Sequence, residues 1–405
     1  MKKLFIIALT TVMAAAFAIP ASAVENEFGG YWRTRAYTMI DTNGTENYEK
    51  TKVDTRTRLY YTAKFSDDFK FVNKFEFNTV WGDAGAGDIG ADGNNFLLKN
   101  SYVDFNTGPM NFKIGMQGLT LARGFLFDDD FAGLNATYKA GKNTFSAVWI
   151  KYVEEEEEVT NQILAQEIGA GETVETAAET DLYLLTAKLN LSDTLAVSPY
   201  LLSLKAEGTD TQFYNVGVDL DMKVNDTTSV WSTLIYDSGE YDNGTTEIDA
   251  DGFLVALGAD AGIVHGQFFY ATGQDTSNDI TAFAAPYGQC YYWAEIMGEG
   301  TVDTGSSNNS PGGSPSNIMA LNVGTTLKPM DKLTVKADIW YANLVEEIAV
   351  AGNMEDDLGI EFDLKATYKV LDNLKLDVVA AYLVAGDATG EEDPVELSTQ
   401  LSLSF

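Results

Sequence analysis

One stretch near the C-terminal end decides the fold class: L-G-I-E-F-D-L-K-A-T-Y-K-V, from Leu358 to Val370. After Leu358, apolar residues occupy every second position, and acidic, basic and hydroxyl side chains occupy most of the positions between them. A period of two residues is that of a β-strand, which presents successive side chains to opposite faces of a sheet. The stretch is therefore predicted to be a strand with one apolar face, to which Leu358 belongs, and one charged face.

The same alternation recurs along the chain in segments of about ten residues, which is the length of a membrane-spanning β-strand. Val53–Phe65 and Val395–Phe405 are two clear cases. The count of such segments predicts about 18 strands, with 16 as the alternative. The predicted spans are 28–39, 52–65, 69–81, 96–106, 110–118, 131–139, 143–153, 181–191, 195–206, 211–223, 227–237, 250–260, 262–273, 318–328, 333–344, 357–370, 374–386 and 394–405.

The connections between the predicted strands alternate in length. Every second one is short, as at 66–68 and 107–109, and those between are longer, as at 119–130 and 274–317. Short periplasmic turns and long extracellular loops are typical of outer-membrane barrels. The predicted fold is therefore all-β, a transmembrane antiparallel β-barrel.

The N-terminal residues indicate export. Lys2 and Lys3 precede an apolar run over 4–19, and the small residues Ala21-Ser22-Ala23 follow. This order is typical of a signal peptide, so residues 1–23 are predicted to be removed and residues 24–405 to form the barrel. No later run reaches the ~18 apolar residues of a spanning helix. A formal charge of −34 argues against nucleic acid as a partner.

The sequence offers little for catalysis. His265 is the only histidine and Cys290 the only cysteine, and neither lies in a nucleophile motif. No enzymatic activity and no cofactor are predicted. Asp83, Asp88 and Asp92 could supply oxygen ligands to Ca²⁺, but their spacing matches no standard calcium loop. They are weak candidates, and no metal is predicted.

The arginines are concentrated at the start of the chain. All five precede residue 124, and four lie at alternate positions on the first two predicted strands: Arg33, Arg35, Arg56 and Arg58. If these strands are neighbours, the four guanidinium groups form a ladder on the wall of a water-filled lumen, because arginine in hydrocarbon is costly. Alternatively, or in addition, they pair with interior acids such as Asp54 and Glu76.

The remaining arginine lies in a loop with an acidic run. Residues 118–130 contain Arg123 and end in Asp128, Asp129 and Asp130. If this loop folds inward, it narrows a pore opposite the ladder and sets up a transverse field. Alternatively, the acids are simply solvated outside the cell.

Three segments resemble known proteins: F-G-G-Y-W-R-T-R (Phe28–Arg35), F-K-I-G-M-Q (Phe112–Gln117) and F-A-G-L (Phe131–Leu134). They are similar to segments of bacterial outer-membrane porins, including the alginate-export-like group. The resemblance implies a water-filled channel for passive diffusion of small hydrophilic solutes and ions. It also implies an arginine ladder that faces an acidic constriction loop.

The predicted surroundings follow from this class. The barrel is expected in the outer membrane, in contact with lipid and lipopolysaccharide, and Phe405 resembles the terminal residue that the barrel-assembly machinery recognises. A homotrimer is left open. Two other functions are kept as alternatives, a barrel enzyme of the outer membrane and an adhesin or structural barrel with a plugged lumen.

Overall fold

The computed structural model describes residues 24–405 except 45–47, 85–86, 90–95, 154–178, 208–210, 243–246, 276, 278, 287 and 304. The predicted signal peptide, 1–23, lies outside the described residues. The strands are β1 (Glu25–Ile40), β2 (Glu49–Ser66), β3 (Phe69–Val80), β4 (Phe96–Thr107), β5 (Met110–Leu121), β6 (Phe127–Ala140), β7 (Asn143–Val153), β8 (Glu179–Asn190), β9 (Leu195–Glu207), β10 (Gln212–Lys223), β11 (Thr228–Asp242), β12 (Glu247–Ala250), β13 (Phe253–Ala261), β14 (Val264–Ala271), β15 (Ile318–Met330), β16 (Leu333–Val350), β17 (Asn353–Leu371), β18 (Leu374–Ala385) and β19 (Val395–Ser404). One short 3-10 turn covers Ala122–Gly124.

These strands form one antiparallel sheet that closes on itself. Apart from β12 and β13, each strand pairs with the next along the chain, and β1 pairs with both β2 and β19. β12 and β13 both pair with β11 and together occupy one position in the wall, so the barrel has 18 strand positions. The prediction of 18 strands is confirmed, and the alternative of 16 is wrong.

The two ends of the chain meet where the barrel closes. The backbone N–H of Gly30 donates to the carbonyl of Phe405 at 2.7 Å, and the N–H of Phe405 donates to the carbonyl of Gly30 at 3.1 Å. The ring of Phe405 lies over Gly30, where a Cβ would be only 2.5 Å from Cζ of the ring. Glycine at position 30 therefore allows the last side chain to lie flat against the first strand.

The outer face of the barrel is apolar, and much of its inner face carries charged side chains. On β17 the side chains of Ile360, Phe362 and Leu364 are 40–50% exposed, whereas those between them, Glu361 and Asp363, are 0% and 8% exposed. Carboxylates at such positions face the lumen, because the outer face of a spanning barrel contacts hydrocarbon. The alternation read from the sequence therefore describes a lipid-facing and a lumen-facing set.

Leu358 is an exception to the predicted alternation. It was expected on the apolar outer face with Ile360, but it is fully buried inside the barrel. The pairing of β16 with β17 shifts register between Ala342–Gly359 and Asn343–Asp357, and Gly359 has a positive φ of 110°. This β-bulge inserts an extra residue and turns the side chains before it to the opposite face.

The two ends of the barrel differ as predicted. At one end, connections of two to four residues join the strands, as at 67–68 and 372–373. At the other end most connections are longer, and the longest covers 272–317. The clearest exception is 351–352, where β16 and β17 continue outward as a long hairpin and need only a short turn. Within the described part of the chain, no helix has the length and apolarity needed to cross a membrane.

Candidate functional site

Four arginines lie together on the inner face of β1 and β2. In the antiparallel register Arg33 lies opposite Arg56, and Arg58 is the next lumen-facing residue on one side of this pair. Arg35 is the next lumen-facing residue on the other side, opposite Asp54. Arg33 and Arg35 are almost completely buried. The structure thus brings the four ladder residues of the sequence analysis into one continuous row.

The wall itself supplies two acidic partners for this row. The guanidinium of Arg35 donates to Asp54, with Nη2 2.8 Å from Oδ2, and Nε of Arg58 lies 2.5 Å from Oε2 of Glu76. Nε of Arg56 lies 3.5 Å from the other oxygen of Glu76. Charge-assisted hydrogen bonds of this kind fix the guanidinium planes. Both acids considered from the sequence are therefore in contact with the ladder.

A third acidic partner comes from the inner loop (residues 272–317), whose described residues fold into the lumen. Asp303 lies 3.2 Å from Nη2 of Arg33, 2.6 Å from Nη1 of Arg35 and 3.8 Å from Nη1 of Arg56. One carboxylate therefore contacts three arginines. Sequence reasoning missed Asp303, because a single acid 270 positions from Arg33 in a long loop carries no local signal.

The inner loop is held to the wall at several points around Asp303. Both oxygens of Glu361, on β17, accept backbone N–H groups, from Ile296 at 2.6 Å and from Met297 at 2.8 Å. Nζ of Lys365 donates to the hydroxyl of Thr301 at 2.7 Å. Since Lys365 lies on the same strand as Glu361, β17 holds the segment that precedes Asp303 at two heights.

A second segment, the inward hairpin (residues 117–131), also leaves the wall. β5 pairs with β4 only up to Met116, and β6 pairs with β7 only from Gly133, yet β5 and β6 stay paired with each other as far as Leu121 and Phe127. The bend falls at the cross-strand pair Gly115–Gly133. A Cβ at Gly133 would lie 2.0 Å from the carbonyl oxygen of Trp149, so only glycine fits. The predicted loop 118–130 is therefore largely a β-hairpin.

The tip of the inward hairpin reaches the wall opposite the ladder. Arg123 donates from Nη2 to Asp221 at 2.8 Å and from Nε to the hydroxyl of Thr233 at 3.2 Å. Its guanidinium carbon also lies 4.8 Å from the ring centre of Trp231. β10 and β11, which carry these partners, lie halfway round the barrel from β1. Arg123 therefore lies away from the four ladder arginines.

The acidic run on the returning strand of the hairpin turns toward the ladder. Asp130 lies 3.1 Å from Nζ of Lys99 and accepts from the side chain of Asn100 at 2.5 Å. Asp128 accepts from the hydroxyl of Thr120 at 2.6 Å. None of the ion pairs within the described residues joins these acids to a ladder arginine. Their contacts are with β4 and with the hairpin itself.

The ladder and the acidic run border one cavity of about 770 Å³. Its cationic lining comes from the wall strands β1 to β4 and consists of Arg33, Arg56, Arg58, Lys74 and Lys99. Its anionic lining comes from the two inward segments and consists of Asp128, Asp129, Asp130 and Asp303. Arg35 is absent from the lining because it is buried beneath Asp303 and Asp54. Positive and negative charges thus face each other across the space.

The opposite half of the lumen is filled with apolar side chains. Phe125 and Leu126 at the hairpin tip are fully buried and pack in one cluster with wall residues such as Leu182, Leu254 and Phe269. Phe125 also stacks on Tyr291 of the inner loop, with ring centres 3.6 Å apart. The sequence carries a signal for this apolar cluster. β8 reads D-L-Y-L-L, which is apolar on both faces and typical of a strand buried on both sides.

The two inward segments also contact each other across the lumen. The N–H of Asp128 donates to the carbonyl of Gly288 at 2.8 Å, and the N–H of Cys290 donates to the carbonyl of Gly124 at 3.2 Å. The side chain of Gln289 donates to the carbonyl of Phe125 at 2.6 Å. Together they form a partition, so the described open space on the ladder side is separated from the apolar side.

Among the residues considered for other chemistry, His265 contacts an acidic residue of the wall. Nε2 of His265 lies 2.8 Å from Asp338, which also accepts from Asn322 at 3.1 Å. Asp83 and Asp88 are described and Asp92 is not. Within the described ranges, no group of three or more histidine, cysteine or acidic side chains is arranged to hold a metal ion.

Two titratable groups of the inner loop are shifted by their surroundings. Burial raises the pKa of the Cys290 thiol, and the negative charges of Asp129 and Asp128 raise it further. Burial and the charge of Asp303 raise the pKa of the Glu299 carboxyl, against a backbone hydrogen bond from Gly313 that lowers it. A thiol with a raised pKa carries little thiolate at neutral pH and is a weak nucleophile.

Comparison with known proteins places this barrel in a family. The family model described as alginate export matches residues 24–401. The chain belongs to that family. Membership and the closed barrel agree with the predicted class of bacterial outer-membrane porin and with the predicted location in the outer membrane. No curated protein matches the chain.

Solved outer-membrane proteins share the fold of this family member. The structure of OpdQ from Pseudomonas aeruginosa is 12% identical, has a TM-score of 0.60, and the match covers 94% of this chain and 98% of that one. OccAB4 from Acinetobacter baumannii is 12% identical at a TM-score of 0.60, over 96% and 100% of the two chains. OpdK from Pseudomonas aeruginosa, solved with vanillate, is 10% identical at a TM-score of 0.61, over 94% and 98%. These likenesses concern the fold.

Proposed function

We propose that this alginate export family member forms a water-filled channel through which small hydrophilic solutes and ions diffuse passively. The solute path follows the ladder side of the lumen, between the basic wall of β1 to β4 and the acids of the two inward segments. The opposite side is closed by the apolar cluster around Phe125. The permeation path is therefore off-centre and runs beside the arginines.

The single observation that carries this proposal is the arrangement of charge around the cavity of about 770 Å³. Cationic side chains lie on one side and carboxylates on the other, so a passing solute experiences a transverse field. Rings and clamps of charge at close quarters govern which ions pass a pore. Arginine suits this role because its guanidinium stays charged at every accessible pH and presents a planar fork of donors.

A plugged structural barrel is the second candidate, because a specific observation favours it. The inward hairpin and the inner loop join across the lumen, and the apolar cluster fills the far half. If the ladder-side cavity does not continue to both mouths, the barrel would carry adhesive or structural loops and would not conduct. The same reconstitution experiment separates the two candidates.

The test uses the purified full-length mature protein inserted into planar lipid bilayers. Stepwise increases in current support a channel, whereas insertion without steps supports the plugged barrel. Replacing the ladder residues by Ala (R33A, R35A, R56A and R58A together) removes four positive charges from one wall. The reversal potential in a salt gradient should then shift toward cation preference. K336A is the control, because it removes a cation of β16 that pairs with Asp338, apart from the ladder and from the inward hairpin.

An unchanged reversal potential in the fourfold variant would remove the ladder from the selectivity mechanism.

Recognition of Phe405 by the barrel-assembly machinery, contact with lipopolysaccharide and association into trimers stay predictions. Contact of the exposed outer side chains with outer-membrane lipid follows from the barrel fold and the family.

A further inference from the structure

The inner-loop carboxylate of Asp303 contacts more of the ladder than any wall acid does. It lies within 4 Å of Arg33, Arg35 and Arg56, whereas Asp54 pairs with Arg35 alone and Glu76 with Arg56 and Arg58. We propose that Asp303 is the selectivity-determining residue of the channel, acting as a tethered counter-ion that occupies the ladder in place of a permeating anion. This inference rests on the proposed function.

The position of Asp303 is fixed by the backbone that carries it. Its φ of 47° is in the left-handed region, and its N–H donates to the carbonyl of Glu299 at 3.1 Å in a tight turn. Nη1 of Arg35 also donates to the carbonyls of Thr301 and Val302. The carboxylate is therefore held against the arginines by its own loop. It behaves as a fixed charge of the pore lining.

The charge balance of the cavity shows what Asp303 does. Five cationic and four anionic side chains line the cavity, so the lining is close to neutral. Asp303 covers the deeper arginines, Arg33 and Arg35, which are 8% and 3% exposed. Without its charge, Arg33 and Arg56 would face the cavity with no inner-loop partner. Small anions would then concentrate at the ladder.

The other acids of the cavity are not equivalent to Asp303. Asp130 has its own cation, Lys99, at 3.1 Å, and Asp128 is bonded to a hydroxyl. Asp221, on β10, forms a similar acid–arginine pair with Arg123 at 2.8 Å. This pair lies outside the ladder-side cavity. Asp221 therefore offers a matched comparison, because its substitution also uncovers an arginine in the lumen.

The experiment compares D303N, D303E and D221N with the unmodified protein in planar bilayers under a tenfold KCl gradient. D303N keeps the size of the side chain and removes the charge, and the chloride-to-potassium permeability ratio should rise at least about fivefold, the effect of one unit charge at ~4 Å in water on the anion alone. D303E keeps the charge and should stay close to the unmodified ratio. D221N should change the ratio less than about twofold, because solvent and ions screen an exposed pair.

Several outcomes overturn the inference. If D303N and D221N shift the ratio equally, the inner-loop carboxylate has no special role, although the channel itself stands. If D303E behaves like D303N, loop geometry and not charge explains the effect. If the unmodified protein gives no stepwise current, the proposed function fails and this inference fails with it.

Discussion

The packing of the hairpin tip against the opposite wall can be tested by truncating Phe125 to Ala. Phe125 is fully buried, stacks on Tyr291 with ring centres 3.6 Å apart and meets Phe269 edge to face at 5.7 Å. Removing a buried phenylalanine ring costs about 3–5 kcal/mol, and this range includes the loss of its aromatic contacts. The tip docks through this ring and through the hydrogen bonds of Arg123.

The effect of this truncation on the pore follows from the same numbers. A loss of about 3 kcal/mol in docking shifts the equilibrium between docked and released tip by roughly 150-fold. A released tip no longer closes the apolar half of the lumen, so F125A should show a larger single-channel conductance and more open-state current noise. The measurement is single-channel recording at symmetric high salt.

The matched control removes an identical ring from the outer face. F362A truncates a side chain that is 45% exposed toward lipid, and it should leave conductance unchanged. The reasoning is refuted if F125A has the conductance and noise of the unmodified channel while its hairpin tip, 122–126, resists protease as before. That result would mean that the remaining contacts hold the tip without the phenylalanine ring.

Two further predictions concern the inner loop. Cys290 lines the ladder-side cavity, so a negatively charged thiol reagent should lower conductance and increase cation preference, with C290S unresponsive; because burial raises the pKa of the thiol, the reaction should accelerate as the pH rises. In E361Q an amide replaces one of two oxygens that accept the N–H groups of Ile296 and Met297, so the loop should lose about 1–3 kcal/mol and be cleaved faster by protease. E396Q is the control for that variant, since within the described residues no backbone N–H reaches this buried carboxylate, and equal cleavage of E361Q and E396Q would contradict the argument.

The sequence alone was sufficient to predict the wall of the barrel. Period-two alternation reports directly which side chains meet hydrocarbon, because an apolar outer face is required along every spanning strand. Consecutive strands of a barrel are neighbours and positions of the same parity share a face, which is why Arg33, Arg35, Arg56 and Arg58 fall in one row; the part of this row in selectivity stays a proposal. Both inferences depend on local pattern and on the simplest strand order.

The contents of the lumen could not be predicted in the same way. The contact between Asp303 and Arg33 joins residues 270 positions apart, and the contact between Arg123 and Asp221 joins residues 98 positions apart. Neither contact has a period or a spacing that a pattern could detect. The prediction for Leu358 was wrong for a different reason. A single bulge at Gly359 reverses the alternation of inward and outward side chains from which its face was predicted.

The glycines around the inward hairpin are a signal in the sequence for the bend of this hairpin. Gly115 and Gly133 stand opposite each other, and a side chain at either would meet backbone oxygen, at 2.3 Å and 2.0 Å. Paired glycines in two consecutive predicted strands indicate a bend at that level. With that signal the segment 118–130 could have been predicted as a bent hairpin and not as a loop.

Closure between β1 and β19 has a consequence for how the barrel is made. Arg33 pairs with Ser402 where the barrel closes, so the last set of backbone hydrogen bonds joins residues separated by nearly the whole chain. Such non-local pairing is slow to form, and until it forms the edges of β1 and β19 present unpaired backbone groups. A polypeptide that ends before the last strand would therefore keep the edge of β1 permanently unpaired. Such fragments are expected to aggregate or be degraded, so synthesis of this barrel is effectively all-or-none.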